Sequence, residues 1–233
     1  MAYNYDLCTY NSPNPLVRFA HRQRFATALR LVEPTPSDLL LDFGCGDGRF
    51  LRNLVDLYNC SDRVFGFEPF LESLSDIPVT IFRDWASVKS RFGLHEYFTI
   101  ITCFEVLEHL TSEGQLQAFD QIGEILRGDG RLIVSVPIEC GLPTLPKNLF
   151  RWIKSPPSKN HIYNWKNIFR SLFGIPIPEC RSGENPLTHM GFYYKDLESN
   201  LKMRFRIVDR VHSPFPALGA NFNSQIFYVL RQR

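Results

Sequence analysis

The stretch "LDFGCGDGRFL", residues 41 to 51, sets glycines at 44, 46 and 48 directly after an apolar run and an aspartate, Asp42. A glycine-rich turn after a strand brings bare backbone close to a ligand, and nucleotides, dinucleotides and adenosyl cofactors all use one. Spacing separates these cases. A nicotinamide or flavin site, G-x-G-x-x-G/A, wants a small residue at position 49, where Arg49 stands. A P-loop wants Lys-Ser or Lys-Thr after its glycines, and neither follows here. What remains is G-x-G-x-G preceded by Asp42.

Outward from the loop, apolar runs recur at Leu39 to Phe43, Val64 to Phe67, Val79 to Phe82, Phe98 to Phe104 and Leu132 to Val136. They do not alternate, so they suit strands buried on both faces, as in a parallel sheet covered by helices. Asn14 and Pro15 start a helix that aligns Phe25, Ala28, Leu29 and Val32 before Pro34 and Pro36 stop it. A second helix is predicted from Ser112 to Leu126, with Ser112 and Gln115 as a capping box and Leu116, Phe119, Ile122 and Ile125 at helical spacing. The pattern reads as α/β, a doubly wound, Rossmann-like sheet. After Pro137 it breaks. Residues 141 to 186 are rich in proline, aromatics and basic residues and read as an inserted cap after the fifth strand. A helix near Lys195 to Leu201 and strands at Phe205 to Val211 and Gln225 to Leu230 then complete a seven-stranded sheet with an antiparallel edge hairpin. The expectation is one domain, residues 1–233, carrying that cap.

Composition bounds the partners only loosely. With 44% hydrophobic and 21% charged residues the chain is ordinary for a globular protein, and a net charge of +2 argues for no nucleic acid in particular. The six cysteines form no C-x-x-C pair and sit mostly in apolar segments, which suits free thiols in a reducing compartment. "MAYNYDLCTY" lacks a cationic, apolar leader, and no apolar stretch approaches the ~20 residues that span a bilayer. A cytoplasmic location is expected, with no DNA and no obligate protein partner.

The loop with Asp42 resembles that of class I S-adenosylmethionine-dependent methyltransferases, and further landmarks of that family follow in order. "VFGFEPF" ends its run at Glu68 and Pro69, 20 residues past Gly48, where the family places a carboxylate for the two ribose hydroxyls. "IFRDW" supplies Asp84 for the adenine amino group and Trp85 as a stacking surface. "EVLEHL" follows the fourth strand directly after its last residue, Phe104, and "LRGDGRLIVSVP" resembles the turn and fifth strand. The resemblance implies S-adenosyl-L-methionine as cofactor, held by Asp42, Gly44, Cys45, Gly46, Gly48, Glu68, Pro69, Asp84, Trp85 and Phe104. Cys45 contributes backbone there, its side chain only filling space. Glu68→Ala is expected to weaken cofactor binding and to leave stability nearly unchanged.

Methyl transfer from a sulfonium needs alignment more than chemistry from the protein. Glu105, Glu108 and His109 stand at i, i+3 and i+4, on one side of a helical turn at the carboxyl end of the sheet, where such folds bind ligands. Three readings stay open: the trio holds the turn; His109, with Glu105, serves as base or acceptor-orienting group; or the trio binds a divalent metal. In the last, Glu-x-x-Glu-His resembles the magnesium ligands of ubiquinone-pathway O-methyltransferases and small-RNA 2′-O-methyltransferases, with His189 or His161 as a further ligand. A metal-free site with His109 and Glu105 as catalytic candidates is the reading preferred. The chain looks most like bacterial small-molecule methyltransferases and is similar to the ubiquinone-pathway O-methyltransferases, which implies a small acceptor, lipid, quinone-like or glycan. The alternatives are metal-assisted O-methylation of a diol, phenol or RNA 2′-hydroxyl, and a non-catalytic cofactor-binding scaffold. The insertion sets Leu149, Phe150, Trp152, Ile153, Phe169, Leu172 and Phe173 among Lys147, Arg151, Lys154, Lys159, Lys166, Arg170 and Arg181, which suits a lid, a packed cap or peripheral membrane contact.

Overall fold

The computed structural model describes residues 13–70, 78–93, 97–141, 144–145, 148, 164–175, 177 and 191–233. Helix α1 (Pro15–Val32) begins at the proline and buries Ala28 and Val32. Strand β1 (Leu40–Phe43) is buried throughout and leads into the glycine loop and α2 (Arg49–Tyr58). Then come β2 (Val64–Phe67), β3 (Thr80–Phe82), α3 (Trp85–Phe92) and β4 (Phe98–Phe104). A 3-10 turn (Leu107–His109), α4 (Ser112–Ile125) and β5 (Leu126–Pro137) follow. Beyond the cap region lie α5 (Trp165–Leu172), α6 (Tyr194–Arg204), β6 (Phe205–Ser213) and β7 (Gln225–Gln232).

The seven strands form one sheet in the order β3-β2-β1-β4-β5-β7-β6. β1 to β5 pair in parallel and β7 runs antiparallel between β5 and β6, which is the doubly wound sheet with an edge hairpin that the sequence pattern predicts. The order reverses on either side of β1. Ligands in open α/β sheets bind at the carboxyl ends of the strands next to such a reversal, and the glycine loop leaves β1 at that point.

Three local readings change. The α4 cap is Thr111, whose hydroxyl accepts from the Gly114 N–H; Ser112 is already the first helical residue. Gln115 faces inward and donates to the Leu107 carbonyl, while Leu116 faces solvent and Ala118 takes its place in the buried stripe with Phe119, Ile122 and Ile125. β5 starts at Leu126, directly after the helix, because residues 127 to 130 bulge out and the ladder with β4 resumes at Arg131 opposite Ile100.

The chain divides into two compact units. One comprises Met1–Arg30, Pro137–Asp196 and Val211–Phe227, the other Leu31–Val136, Leu197–Arg210 and Tyr228–Arg233. Charge is unevenly shared between them. The first holds 12 lysines and arginines against 5 acidic residues, net +7, and the second 14 against 19, net −5, which together make the +2 of the whole chain. The near-neutral total therefore conceals a strongly basic unit. Within that unit, buried Ser171 of α5 donates to the Glu139 carbonyl and accepts from Asn148, so one face of the helix is fastened by polar bonds. Most of the predicted cap lies outside the described residues, as do His161, His189, Trp152 and the basic residues from Lys147 to Lys159. Among the described residues Cys45, Cys60 and Cys103 are buried free thiols and Cys140 is half-buried. No described helix is long and apolar enough to cross a membrane.

Candidate functional site

All three loop glycines adopt left-handed backbone, with φ of 77° at Gly44, 54° at Gly46 and 71° at Gly48. That region is open to glycine and costs other L-residues roughly 1–2 kcal/mol. Each glycine then has its own local reason. A Cβ on Gly44 would lie 2.3 Å from Val106 Cγ2, so the loop passes under the Val106 side chain. A Cβ on Gly46 would meet nothing within 4 Å and would project into open space. Gly48 caps α2 in the left-handed conformation.

The loop is pinned to the end of β2. The Phe67 carbonyl accepts from the Gly44 N–H at 2.8 Å and the Cys45 N–H at 3.1 Å. Buried Glu68 completes the attachment: one carboxylate oxygen accepts from the Gly46 N–H at 3.0 Å and the other from the Phe70 N–H at 2.9 Å. Glu68 thus holds the loop in addition to any contact with a ligand, which revises the expectation that its loss would spare stability.

Asp42 lies inside the sheet, opposite Gly66 on one side and Thr102 on the other. Its carboxyl accepts from the Thr102 hydroxyl at 2.6 Å. Burial pushes its pKa up to about 7, with the Thr102 hydrogen bond opposing and the Glu68 carboxylate reinforcing the shift. Cys45 Sγ would lie 2.8 Å from a Cβ on Gly66, so the thiol fills the space that this strand glycine leaves. Burial, with the charges of Asp42 and Glu68, raises the Cys45 thiol far above its ordinary pKa and keeps it neutral.

Asp84 caps α3, its two oxygens accepting from the Ser87 N–H and the Ser87 hydroxyl, both at 2.7 Å. The capping lowers its pKa. The Trp85 ring stands 5.9 Å from Phe43 and 5.3 Å from Phe67, beside the ends of β1 and β2. Phe104 packs edge-on against Phe50 at 5.0 Å. Pro69 is exposed next to Glu68.

The structure separates the trio. Glu105 is half-buried and has φ of 58°, an uncommon conformation for a residue with a side chain, held by its N–H donating to the Ser135 carbonyl. Glu105 lies outside the 3-10 turn that follows, and within that turn successive residues diverge by about 120°, so Glu108 and His109 point in different directions. Glu108 is buried at 1% exposure and His109 is exposed. Among the described residues no three His, Cys, Asp or Glu side chains converge in a group that could hold a metal ion.

Sequence reading missed Val106, Gly66 and Thr102, which shape the loop and the buried aspartate. Only Gly66 carries a local signal, because a glycine inside a strand marks close approach of another group.

The family model that matches the chain is described as a methyltransferase domain and covers residues 17–171. A small RNA 2′-O-methyltransferase from Mus musculus is 23% identical over 200 residues, 77% of this chain and 49% of the mouse protein. The chain therefore spans about half the length of that curated relative. Among solved structures, a SAM-dependent methyltransferase from Archaeoglobus fulgidus aligns with a TM-score of 0.57 at 13% identity, covering 99% of this chain and 100% of that one. The plantazolicin methyltransferase BpumL in complex with SAH aligns at 0.55 and 15% identity, covering 99% and 88%.

Proposed function

The chain belongs to the methyltransferase-domain family, and on that premise we propose that it is an enzyme transferring a methyl group from S-adenosylmethionine to a small-molecule acceptor. The observation that carries this reading is the glycine loop itself, whose Gly46 faces open space beside the Glu68 carboxylate. A side chain at 46 would fill that cradle, so the bare backbone there fits a bound cofactor. When bound, S-adenosylmethionine supplies an electrophilic methyl on a sulfonium.

The residues divide the work of holding it. Glu68 spends one lone pair per oxygen on the loop and on Phe70, and a carboxylate has about four acceptor sites, so acceptors remain for two ribose hydroxyls. The backbone of Gly44, Cys45, Gly46 and Gly48, with Asp42 below them and Pro69 at the rim, forms the cradle. Trp85 and Phe104 offer apolar surface, and the capping oxygens of Asp84 keep lone pairs for an amino donor. Glu105 and exposed His109 stand on the acceptor side, His109 taking a proton where the acceptor is poorly ionised.

A second reading, transfer to an RNA 2′-hydroxyl, is supported by the 23% identity to the mouse small-RNA enzyme. Calorimetric titration with adenosylhomocysteine tests the cofactor assignment. Gly46→Val should abolish binding in a folded protein, and normal affinity in that variant refutes the assignment. Methylation assays on lipid, phenol and short-RNA acceptors, with and without a chelator, then separate the acceptor readings.

A further inference from the structure

Helix α5 shows two faces of opposite character. Asn167, Ile168 and Ser171 are buried and fasten it, while Trp165, Phe169 and Phe173 follow one another at i, i+4 and i+8 and are 59%, 62% and 65% exposed. Ile175, just past the end of the helix, is 48% exposed. The row is built, not frayed. Asn164 caps the start by accepting from the Asn167 N–H at 2.8 Å. At the far end the Gly174 N–H donates to the Ser171 carbonyl at 3.1 Å and the Ile175 N–H to the Arg170 carbonyl at 2.8 Å, with Gly174 at φ 65°. These two bonds are a Schellman ending, which fixes Phe173 and Ile175 against the helix. The Phe169 and Phe173 rings touch at a centroid distance of 5.3 Å.

Exposing several large apolar side chains in one row is unfavourable in water, and such a patch marks an interaction surface. The charges beside it say with what. Lys166 and Arg170 occupy the adjacent row, residues 164 to 175 contain no acidic residue, and the unit to which they belong is net +7. A ridge of Trp and Phe with cations in the adjacent row, and no acidic residue from 164 to 175, matches an anionic bilayer surface, with rings at headgroup depth and the exposed Lys166 ammonium on lipid phosphate. We infer that the α5 ridge seats this protein on anionic phospholipid. The inference is independent of the acceptor's identity.

Vesicle co-sedimentation of the full chain provides the test, using equal parts phosphatidylcholine and phosphatidylglycerol against phosphatidylcholine alone. The native protein should partition onto the anionic vesicles at least about tenfold more strongly and should be released by salt. Phe169→Glu and Phe173→Glu should each reduce partitioning about tenfold or more, and Lys166→Gln about fivefold, as the loss of one cation near such a surface predicts. Adenosylhomocysteine titration of the same variants serves as the folding control and should be unchanged. Equal partitioning on both vesicle types, or none on either, overturns the inference. So does a ridge variant that binds vesicles normally but loses binding to short single-stranded RNA, or that converts a dimer of the native chain to a monomer, because each assigns the ridge to a different occupant.

Discussion

Truncating Glu68 to alanine removes the acceptor of two backbone N–H groups, those of Gly46 at 3.0 Å and Phe70 at 2.9 Å. A hydrogen bond to a charged group contributes about 1.5–3 kcal/mol, so the pair sets a ceiling of about 3–6 kcal/mol. Both bonds are only part-buried, however, and water can reach the orphaned N–H groups once the side chain is gone. The net loss of stability should therefore be about 2–3 kcal/mol. Glu68→Gln keeps one acceptor oxygen and should lose about 1–2 kcal/mol. Urea unfolding without ligand measures both, and titration with adenosylhomocysteine follows the affinity, which should fall in the same order. An alanine variant within about 0.5 kcal/mol of the native stability refutes the loop-holding role. Unchanged affinity alongside the stability loss would instead remove Glu68 from the cofactor site.

Gly44→Ala combines left-handed strain with a 2.3 Å clash and should destabilise by about 2–4 kcal/mol in denaturant unfolding; adding Val106→Ala should recover the steric part and leave the strain. Asp42 has a folded pKa raised from 3.8 to about 7, so the native state holds a proton that the unfolded chain has released. Its stabilising contribution is complete below about pH 4 and is lost as pH rises to about 7, at up to ~1.4 kcal/mol per pH unit. Asp42→Asn should flatten that part of the stability profile, and a profile parallel to the native one would contradict the burial argument. Glu105→Gly relieves a left-handed side-chain residue and should gain up to about 1 kcal/mol in stability while lowering turnover, with thermal unfolding and a methylation assay reading the two effects.

The sheet was readable from sequence because its signals are local and redundant. The runs at Leu40–Phe43, Val64–Phe67 and Phe98–Phe104 are buried on both faces and apolar apart from Asp42, Thr99 and Thr102, and a strand covered on both sides favours that composition. The loop was legible for the same reason: three left-handed positions demand three glycines. Side-chain direction was not. The i, i+3, i+4 argument assumes that Glu105, Glu108 and His109 share one helical turn, whereas Glu105 is left-handed and lies outside the three-residue 3-10 turn, in which Glu108 is buried and His109 exposed. Thr111 rather than Ser112 caps α4 because two hydroxyl residues stand side by side and only backbone geometry chooses between them. The pairing of Asp42 with Thr102 depends on strand register, which one strand's residues do not encode.

The fit between Cys45 and Gly66 has a consequence for how this family can drift. The sulfur at 45 occupies the volume that any side chain at 66 would claim, with Leu51 and Ile81 closing the remaining sides. The two positions therefore share one volume and are not free to vary independently. A relative that carries glycine or alanine at the first relieves one of three close contacts, and a side chain at the second must still displace Leu51, whose Cδ1 would lie 2.9 Å from it; one that enlarges both must also move the cofactor loop away from β2. Covariation between these two columns, one in a binding loop and one inside a strand, would be the historical trace of that shared space.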